Sequence, residues 1–420
     1  MKIRFIYPRF EKLLESRVTL GDLSEKANLG NFKMPPALGI PILTALTPEH
    51  HECCVFDENI EEIDYNDDSD LIAVSFFTPQ AVYAYEIAKK FKVKGKTVIA
   101  GGMHPSLMKD EAAQYFDAVC VGEAETVWDL ILSDFENDNL KQFYFGNYPD
   151  LKHIPIPRRN VFKNKDGYDW EATLIQVMRG CSFNCETCIL PSQVGKKFRF
   201  RPVGNVIEDI KSLDNPDFYL TDDSLLLSNR HCKKYLAELM SATSKLNPKP
   251  KMFLSGSLYM KDDPEYLEML VKGGVVNIYL VTGSDPISIK AFQRDGKKYL
   301  NLAVDTVKKL KDAGINVFLS QGLGFDFHDD YVFDASLEFC QKAQIDAAEF
   351  YILTPFPQTP SWYRLREENR ILHYNWTKYN TANVVFKPKN FTEQSLLDGY
   401  LYCWEEFYKG NSVEKTLDIF

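Results

Sequence analysis

The sequence predicts an α/β chain in three parts. A doubly wound parallel sheet spans residues 1–145, a partial barrel of about six β/α units spans 171–355, and a mainly helical, aromatic-rich cap spans 356–420. Three observations carry this prediction. Near-continuous apolar strands alternate with helical segments in the first part, as in a sheet covered on both faces. A proline-bearing linker at 146–170 (Asn147-Tyr-Pro-Asp, then Ile154-Pro-Ile-Pro-Arg-Arg159) favours extended chain and separates this run from a second one. The second run has fewer units than the eight of a closed barrel, and its strands end in polar or glycine residues.

In the first part, strands are expected at Ile3–Tyr7, Glu52–Phe56, Leu71–Phe76, Thr97–Ala100 and Ala118–Val121. Helical spacing follows the prolines at 35 and 36 through Leu46, and recurs at Pro79–Phe91, Pro105–Tyr115 and Glu123–Phe135. Such a sheet binds ligands beyond the carboxyl ends of its strands. Those ends carry Asp57-Glu-Asn59, Ser75 to Thr78, Gly101-Gly102-Met-His104 and Gly122-Glu123-Ala124. Glycines there permit close backbone approach to a large ligand. The dinucleotide pattern G-x-G-x-x-G is missing from the first strand–helix turn. His104 is either a helix-start residue bonded to nearby backbone or a ligand group.

In the second part, strands are expected at Leu174–Met178, Asp217–Leu220, Lys251–Leu254, Val275–Val281, Asn316–Leu319 and Ala347–Leu353. Helices are expected at Pro202–Leu213, His231–Ala242, Pro264–Lys272, Leu300–Ala313 and Tyr331–Ala343. Strand ends carry Thr221-Asp222-Asp223-Ser224, Thr282-Gly283-Ser284-Asp285 and Ser320 to Asp326. Helix capping accounts for some of these residues, so convergence on one rim says more than any single one. The cap is expected to be helical at Trp362–Arg370 and Glu393–Lys409. Its rings either pack on the barrel or line a pocket for a flat, apolar substrate.

Composition narrows the function classes. A hydrophobic content of 45% and a charged content of 26% describe an ordinary globular protein. Net charge is −10, from 49 basic and 59 acidic residues, which argues against a nucleic-acid partner. No apolar run reaches transmembrane length, and the start Met-Lys-Ile-Arg-Phe-Ile-Tyr-Pro lacks signal-peptide features. A cytoplasmic protein with reduced thiols is therefore expected. Cys53, Cys54 and Cys120 read as small core residues of strands.

The remaining signal is Arg179-Gly180-Cys181-Ser-Phe-Asn-Cys185-Glu-Thr-Cys188, directly after an apolar strand. Three thiolates in one tight loop can converge on one iron–sulfur cluster, leaving one iron open. Chance clustering and structural zinc are the alternatives. Zinc would need a fourth Cys or His at short spacing, and none follows until His231 and Cys232.

The C-x3-C-x2-C loop at the end of the first barrel strand resembles the radical S-adenosylmethionine (SAM) enzymes. The preceding sheet resembles that of their cobalamin-binding subgroup. Gly101-Gly-Met-His-Pro-Ser106, Gly122-Glu-Ala-Glu125, Phe200-Arg201, Tyr219-Leu-Thr-Asp-Asp223, Leu353-Thr-Pro-Phe-Pro-Gln-Thr-Pro360 and the stretch from Gly399 to Tyr408 are similar to the branch containing hopanoid and bacteriochlorophyll methylases.

The resemblance implies a [4Fe–4S] cluster on Cys181, Cys185 and Cys188, with SAM chelating the open iron. SAM contacts fall on Asp222, Asp223, Gly283, Ser284, Asp285 and Gly324. Cobalamin contacts fall on Ser75, Thr78, Gly101, Gly102, Gly122 and Glu123. The implied reaction is carbon methylation of a sizeable apolar small molecule, such as a lipid or tetrapyrrole. The cluster cleaves SAM to a 5′-deoxyadenosyl radical, and methylcobalamin supplies the methyl group. A low-potential flavodoxin or ferredoxin would supply electrons under anaerobic conditions. The resemblance assigns no acid–base residue.

Three positions depart from the pattern. Thr187 replaces the usual aromatic residue before the third cysteine. Asp285 replaces a Glu. Asn59 stands where D-x-H-x-x-G would place a cobalt-ligating histidine, so cobalamin would bind without that ligand. Two further readings stay open: a radical SAM cyclase, ring-contraction or rearrangement enzyme with or without cobalamin, and a cluster- or cobalamin-based sensor without turnover.

Overall fold

The computed structural model describes residues 1–11, 37–162, 173–222, 230–256, 258, 263–282 and 286–409. Six parallel strands form the first sheet: β1 (Lys2–Tyr7), β2 (Glu52–Asp57), β3 (Leu71–Ser75), β4 (Thr97–Gly101), β5 (Ala118–Val121) and β6 (Phe143–Phe145). Their order is β2-β1-β3-β4-β5-β6, so the chain reverses direction across the sheet between β1 and β3. Ligands of doubly wound sheets sit at such a switch point. One face packs Ile72, Val74 and Val98 against Phe91 and Ala84 of the helix Ala81–Val93. The other packs Phe5 and Ile99 against Trp128 and Leu132 of the helix Trp128–Glu136. The strand β6 has no counterpart in the sequence reading, because three residues are too few to show a period. The helix expected at 105–115 is two short ones, Met103–Leu107 and Lys109–Ala112. Cys120 is buried as expected, whereas Cys53 and Cys54 are only half-buried.

The second sheet is also parallel, in the order β14-β13-β12-β11-β10-β7. Its strands are β7 (Thr173–Ile175), β10 (Phe218–Leu220), β11 (Met252–Gly256), β12 (Val275–Thr282), β13 (Asn316–Leu323) and β14 (Ala347–Ile352). This sequential order is that of a partial barrel with β7 and β14 as edges. Ile175, Leu220, Leu254, Leu280, Leu319 and Ile352 face the helices. Alternate residues, including Leu174, Phe253, Phe318 and Ala347, face inward.

The strand expected from Leu174 to Met178 breaks after Ile175. Met178–Arg179 instead forms β8, which pairs antiparallel with β9, Arg199–Phe200. The Asp222 carboxylate causes the break, accepting the backbone N–H groups of Val177 (2.9 Å) and Met178 (2.6 Å). The strand expected to end at Leu319 continues to Leu323. A helix at Pro286–Arg294 was not expected.

Two segments join the sheets. The helix Gly39–Leu46 is apolar nearly all round, the mark of a helix buried on every side. Its Ile40 packs with the first sheet, while Leu38 and Ile42 pack on the inner face of the second. The tail splits likewise. The helix Glu393–Tyr408 packs on β14 and on the helix Tyr331–Ala343. Trp362, Trp376 and Tyr379, however, join the core of the first sheet beside Phe76 and Tyr85. The expectation that the cap rings pack on the barrel therefore holds for only part of the tail. No helix among the described residues is long and apolar enough to cross a membrane.

Candidate active site

A cavity of about 410 Å³ lies between the carboxyl edge of the first sheet and the cysteine loop. Five of the six cobalamin contacts that the resemblance implies line it: Ser75, Gly101, Gly102, Gly122 and Glu123. From the opposite side come Met178, Arg179, Gly180, Cys181, Thr221 and Asp222. Tyr7, at the switch point, and Leu38, Ile40, Ile42 and Leu43 of the segment wedged between the sheets complete an apolar wall. Sequence reasoning missed Tyr7, Gln176, Arg179 and the wedge. The near-continuous apolarity of residues 38–46, broken only by Thr44, was the signal that could have found the last.

The glycines play different parts. A Cβ on Gly102 (φ +100°) would meet the Phe76 backbone at 2.8 Å, and one on Gly122 (φ +87°) the Gly146 carbonyl oxygen at 2.7 Å. These two are glycines because backbone packs on backbone. A Cβ on Gly101 would meet nothing within 4 Å. Gly101 therefore leaves open space above the strand end.

Cys181 is buried at 7% exposure, and Cys185 and Cys188 are half-buried. Three thiols in one loop, with Cys181 lining the cavity, are a donor set that fits a cluster with one iron left open.

The loop is held from both sides. Arg179 bonds Glu123 and Glu125 (2.6 Å to the latter), and Arg199, its register partner, also bonds Glu123. Arg179 and Glu123 are both over 90% buried, so these charges are compensated only by one another. The seam joins the cysteine loop to the β5 edge of the first sheet. From the tail, the Ser361 N–H donates to the Glu186 carbonyl (2.9 Å), and Arg364 bonds the Glu186 carboxylate. Arg364 and Arg370 both reach Asp326. Burial raises the Asp326 carboxyl, but these two guanidiniums outweigh it and hold the group below its ordinary range.

Several candidates lie elsewhere. Thr78 does not line the cavity. It is buried, with Oγ1 3.1 Å from His104 Nδ1. His104 is fully buried, and burial lowers its pKa. Its Nε2 lies 3.1 Å from the Tyr85 hydroxyl, which donates to Glu111 (2.8 Å). Trp376 Nε1 donates to the same carboxylate oxygen (2.7 Å). Tyr85 spends its proton on Glu111, so His104 Nε2 carries the hydrogen and Nδ1 accepts from Thr78. Asn59 is tied to Asp57 (2.6 Å) and Phe10 (2.9 Å) and lies outside the cavity lining. Gly324 (φ +84°) is also outside it, and its missing Cβ admits Leu396 of the tail helix. Asp223, Gly283, Ser284 and Asp285 fall outside the described residues. No tail aromatic among the described residues lines the cavity.

Comparison with known proteins agrees with this geometry. The Radical SAM superfamily matches residues 175–340. Bacteriochlorophyllide d C-8(2)-methyltransferase of Chlorobaculum tepidum is 30% identical over 88% of this chain and 86% of its own length. Anaerobic magnesium-protoporphyrin IX monomethyl ester cyclase of Cereibacter sphaeroides is 24% identical over 81% of this chain and 60% of its own. The structure of the radical SAM methyltransferase TsrM from Kitasatospora setae superposes with a TM-score of 0.66 at 16% identity, over 87% of this chain and 76% of that one. The chain belongs to the radical SAM enzymes, in the branch with an N-terminal cobalamin-binding-type sheet that includes the bacteriochlorophyllide methyltransferases.

Proposed function

We propose that this enzyme is a cobalamin-dependent radical SAM methyltransferase acting on a carbon of a tetrapyrrole-class small molecule. One observation carries the reading: a single cavity is lined by the glycine edge of the first sheet and by Cys181 and Asp222 of the second. Cys181, Cys185 and Cys188 would hold the cluster, and Asp222 would stand beside SAM. Ser75, Gly101, Gly102 and Gly122 would face cobalamin, for which the open space at Gly101 leaves room. When bound, cluster and SAM supply hydrogen-abstracting radical chemistry and cobalamin the methyl group.

The chain's own residues do the positioning. Asp222 fixes the entry to the cysteine loop, and the Arg179–Glu123 seam holds that loop to the first sheet. The apolar wall of Tyr7, Leu38 and Ile42 excludes water. A low-potential flavodoxin or ferredoxin in the cytoplasm would supply electrons.

The test is anaerobic turnover of reconstituted protein with SAM, cobalamin, reductant and bacteriochlorophyllide d. S-adenosylhomocysteine, 5′-deoxyadenosine and a product heavier by one methylene unit are expected. Deoxyadenosine without homocysteine product would favour the second reading, a cyclase or rearrangement enzyme, which the likeness to the protoporphyrin ester cyclase supports.

A further inference from the structure

Gln176 stands on the cavity wall directly after β7 and is half-buried. Leu174 faces inward and Ile175 faces the helices, so the alternation turns Gln176 inward. Its Oε1 accepts from Arg179 Nε at 2.8 Å. A guanidinium only donates, so the carbonyl end of the amide meets Arg179 and the NH2 end points away from it. The residue is held at both ends. Arg179 is fixed by Glu123 and Glu125, and the Gln176 backbone carbonyl accepts from Arg201 Nη1 at 2.9 Å. Nε2 itself bonds to no group among the described residues, and it is not sealed off from the cavity. The other polar groups of this wall are engaged. Asp222 holds the Val177 and Met178 N–H groups, and Thr221 Oγ1 donates to the Ile175 carbonyl (3.4 Å). Around the amide the wall is apolar, made by Leu174, Met178, Leu190 and Val194.

We propose that Gln176 is a cofactor-binding residue whose amide NH2 donates a hydrogen bond to a carboxamide oxygen on the rim of the corrin ring. A fixed N–H donor in an apolar wall is costly unless the occupant of the cavity brings an acceptor. The occupant facing it across the cavity is the one that the glycine edge of the first sheet admits. A corrin carries neutral amide side chains around its edge, and their carbonyl oxygens match a neutral donor. The carboxylate of SAM would already be engaged at the open iron. Arg179 is a positioning residue in this arrangement. It turns the amide and ties it, through Glu123, to the same loop that carries Gly122.

This inference deepens the cobalamin reading and rests on it. The test is equilibrium dialysis of the cluster-loaded protein against hydroxocobalamin, without turnover, with SAM binding measured beside it. Gln176→Leu removes the amide and should raise the cobalamin dissociation constant about threefold to tenfold, as for one lost hydrogen bond. Gln176→Glu has the same shape and keeps an acceptor for Arg179, but it sets a second acceptor where the donor stood. It should weaken cobalamin at least as much, with an unfolding midpoint no lower than that of wild type. In both variants the SAM dissociation constant should stay within about twofold. Unchanged cobalamin affinity in Gln176→Glu overturns the proposal. So does weakened SAM binding with cobalamin unaffected, which would give the amide to SAM, or an equal loss of both ligands, which would mark a collapsed wall. Wild-type protein that binds no cobalamin overturns the cobalamin reading itself, and the proposal with it.

Discussion

Two loops of the first sheet each face two ways. After β3, Ser75 looks into the cavity, whereas Thr78, three residues on, is sealed against His104. After β4, Gly101 and Gly102 line the cavity, whereas His104 is fully buried behind them. The cavity side faces the cysteine loop, and the sealed side meets Trp376 of the tail. The difference teaches that a polar residue at a strand end marks a ligand site only when space is left in front of it. His104, Tyr85, Glu111, Thr78 and Trp376 satisfy one another and leave nothing for a ligand. Gly101 leaves space.

The contrast can be broken most severely on the open side. Cys185→Ala should abolish SAM cleavage, read as loss of deoxyadenosine and of iron–sulfur absorbance, with circular dichroism unchanged. Retained cleavage would remove the cluster from this loop. Glu123→Ala comes next. It strands Arg179 and Arg199 without their shared carboxylate, which should cost roughly 3–5 kcal/mol in denaturant unfolding. A loss below about 1 kcal/mol would mean that the seam is solvated.

On the sealed side, Glu111→Ala orphans the Tyr85 hydroxyl and the Trp376 indole. Stability should fall by about 1–3 kcal/mol while kcat per folded molecule stays constant. A changed kcat would argue that this cluster takes part in chemistry. The same cluster sets an acid limit. Burial lowers the folded-state pKa of His104, so the unfolded chain binds a proton first as pH falls. The stability from neutral His104 is complete above the unfolded value of about 6.5 and is lost as pH drops below it. Glu111 acts in the same sense, because bonds from His104, Tyr85 and Trp376 outweigh burial and lower its pKa. His104→Gln should flatten the stability profile below about pH 6.5. The smallest effect belongs to Gly101→Leu. Stability should stay within about 0.5 kcal/mol, while cobalamin retained after gel filtration falls. Unchanged retention would place the cofactor elsewhere.

Most strands were legible because each carries its own apolar run, and burial on both faces writes that run into contiguous residues. The cysteine loop was legible for the same reason, its three donors lying within eight residues. The break at Val177 was not, since it depends on a carboxylate 45 residues away. Thr78 was misplaced because sequence shows that a residue follows a strand but not which way the loop turns it. Arg179 was passed over as a flank of the motif, although its partners Glu123 and Glu125 stood in a segment already singled out.

The sequence by itself determined two runs of alternating strand and helix, the three-cysteine loop and the family. Each rests on local pattern: period, spacing and residue type. Only the tertiary structure decided the strand order with its switch between β1 and β3. It also decided the wedging of Gly39–Leu46 between two sheets and the split allegiance of the tail. These are contacts between residues far apart in the chain. They follow from which apolar faces find each other, and the one-dimensional pattern leaves that choice open.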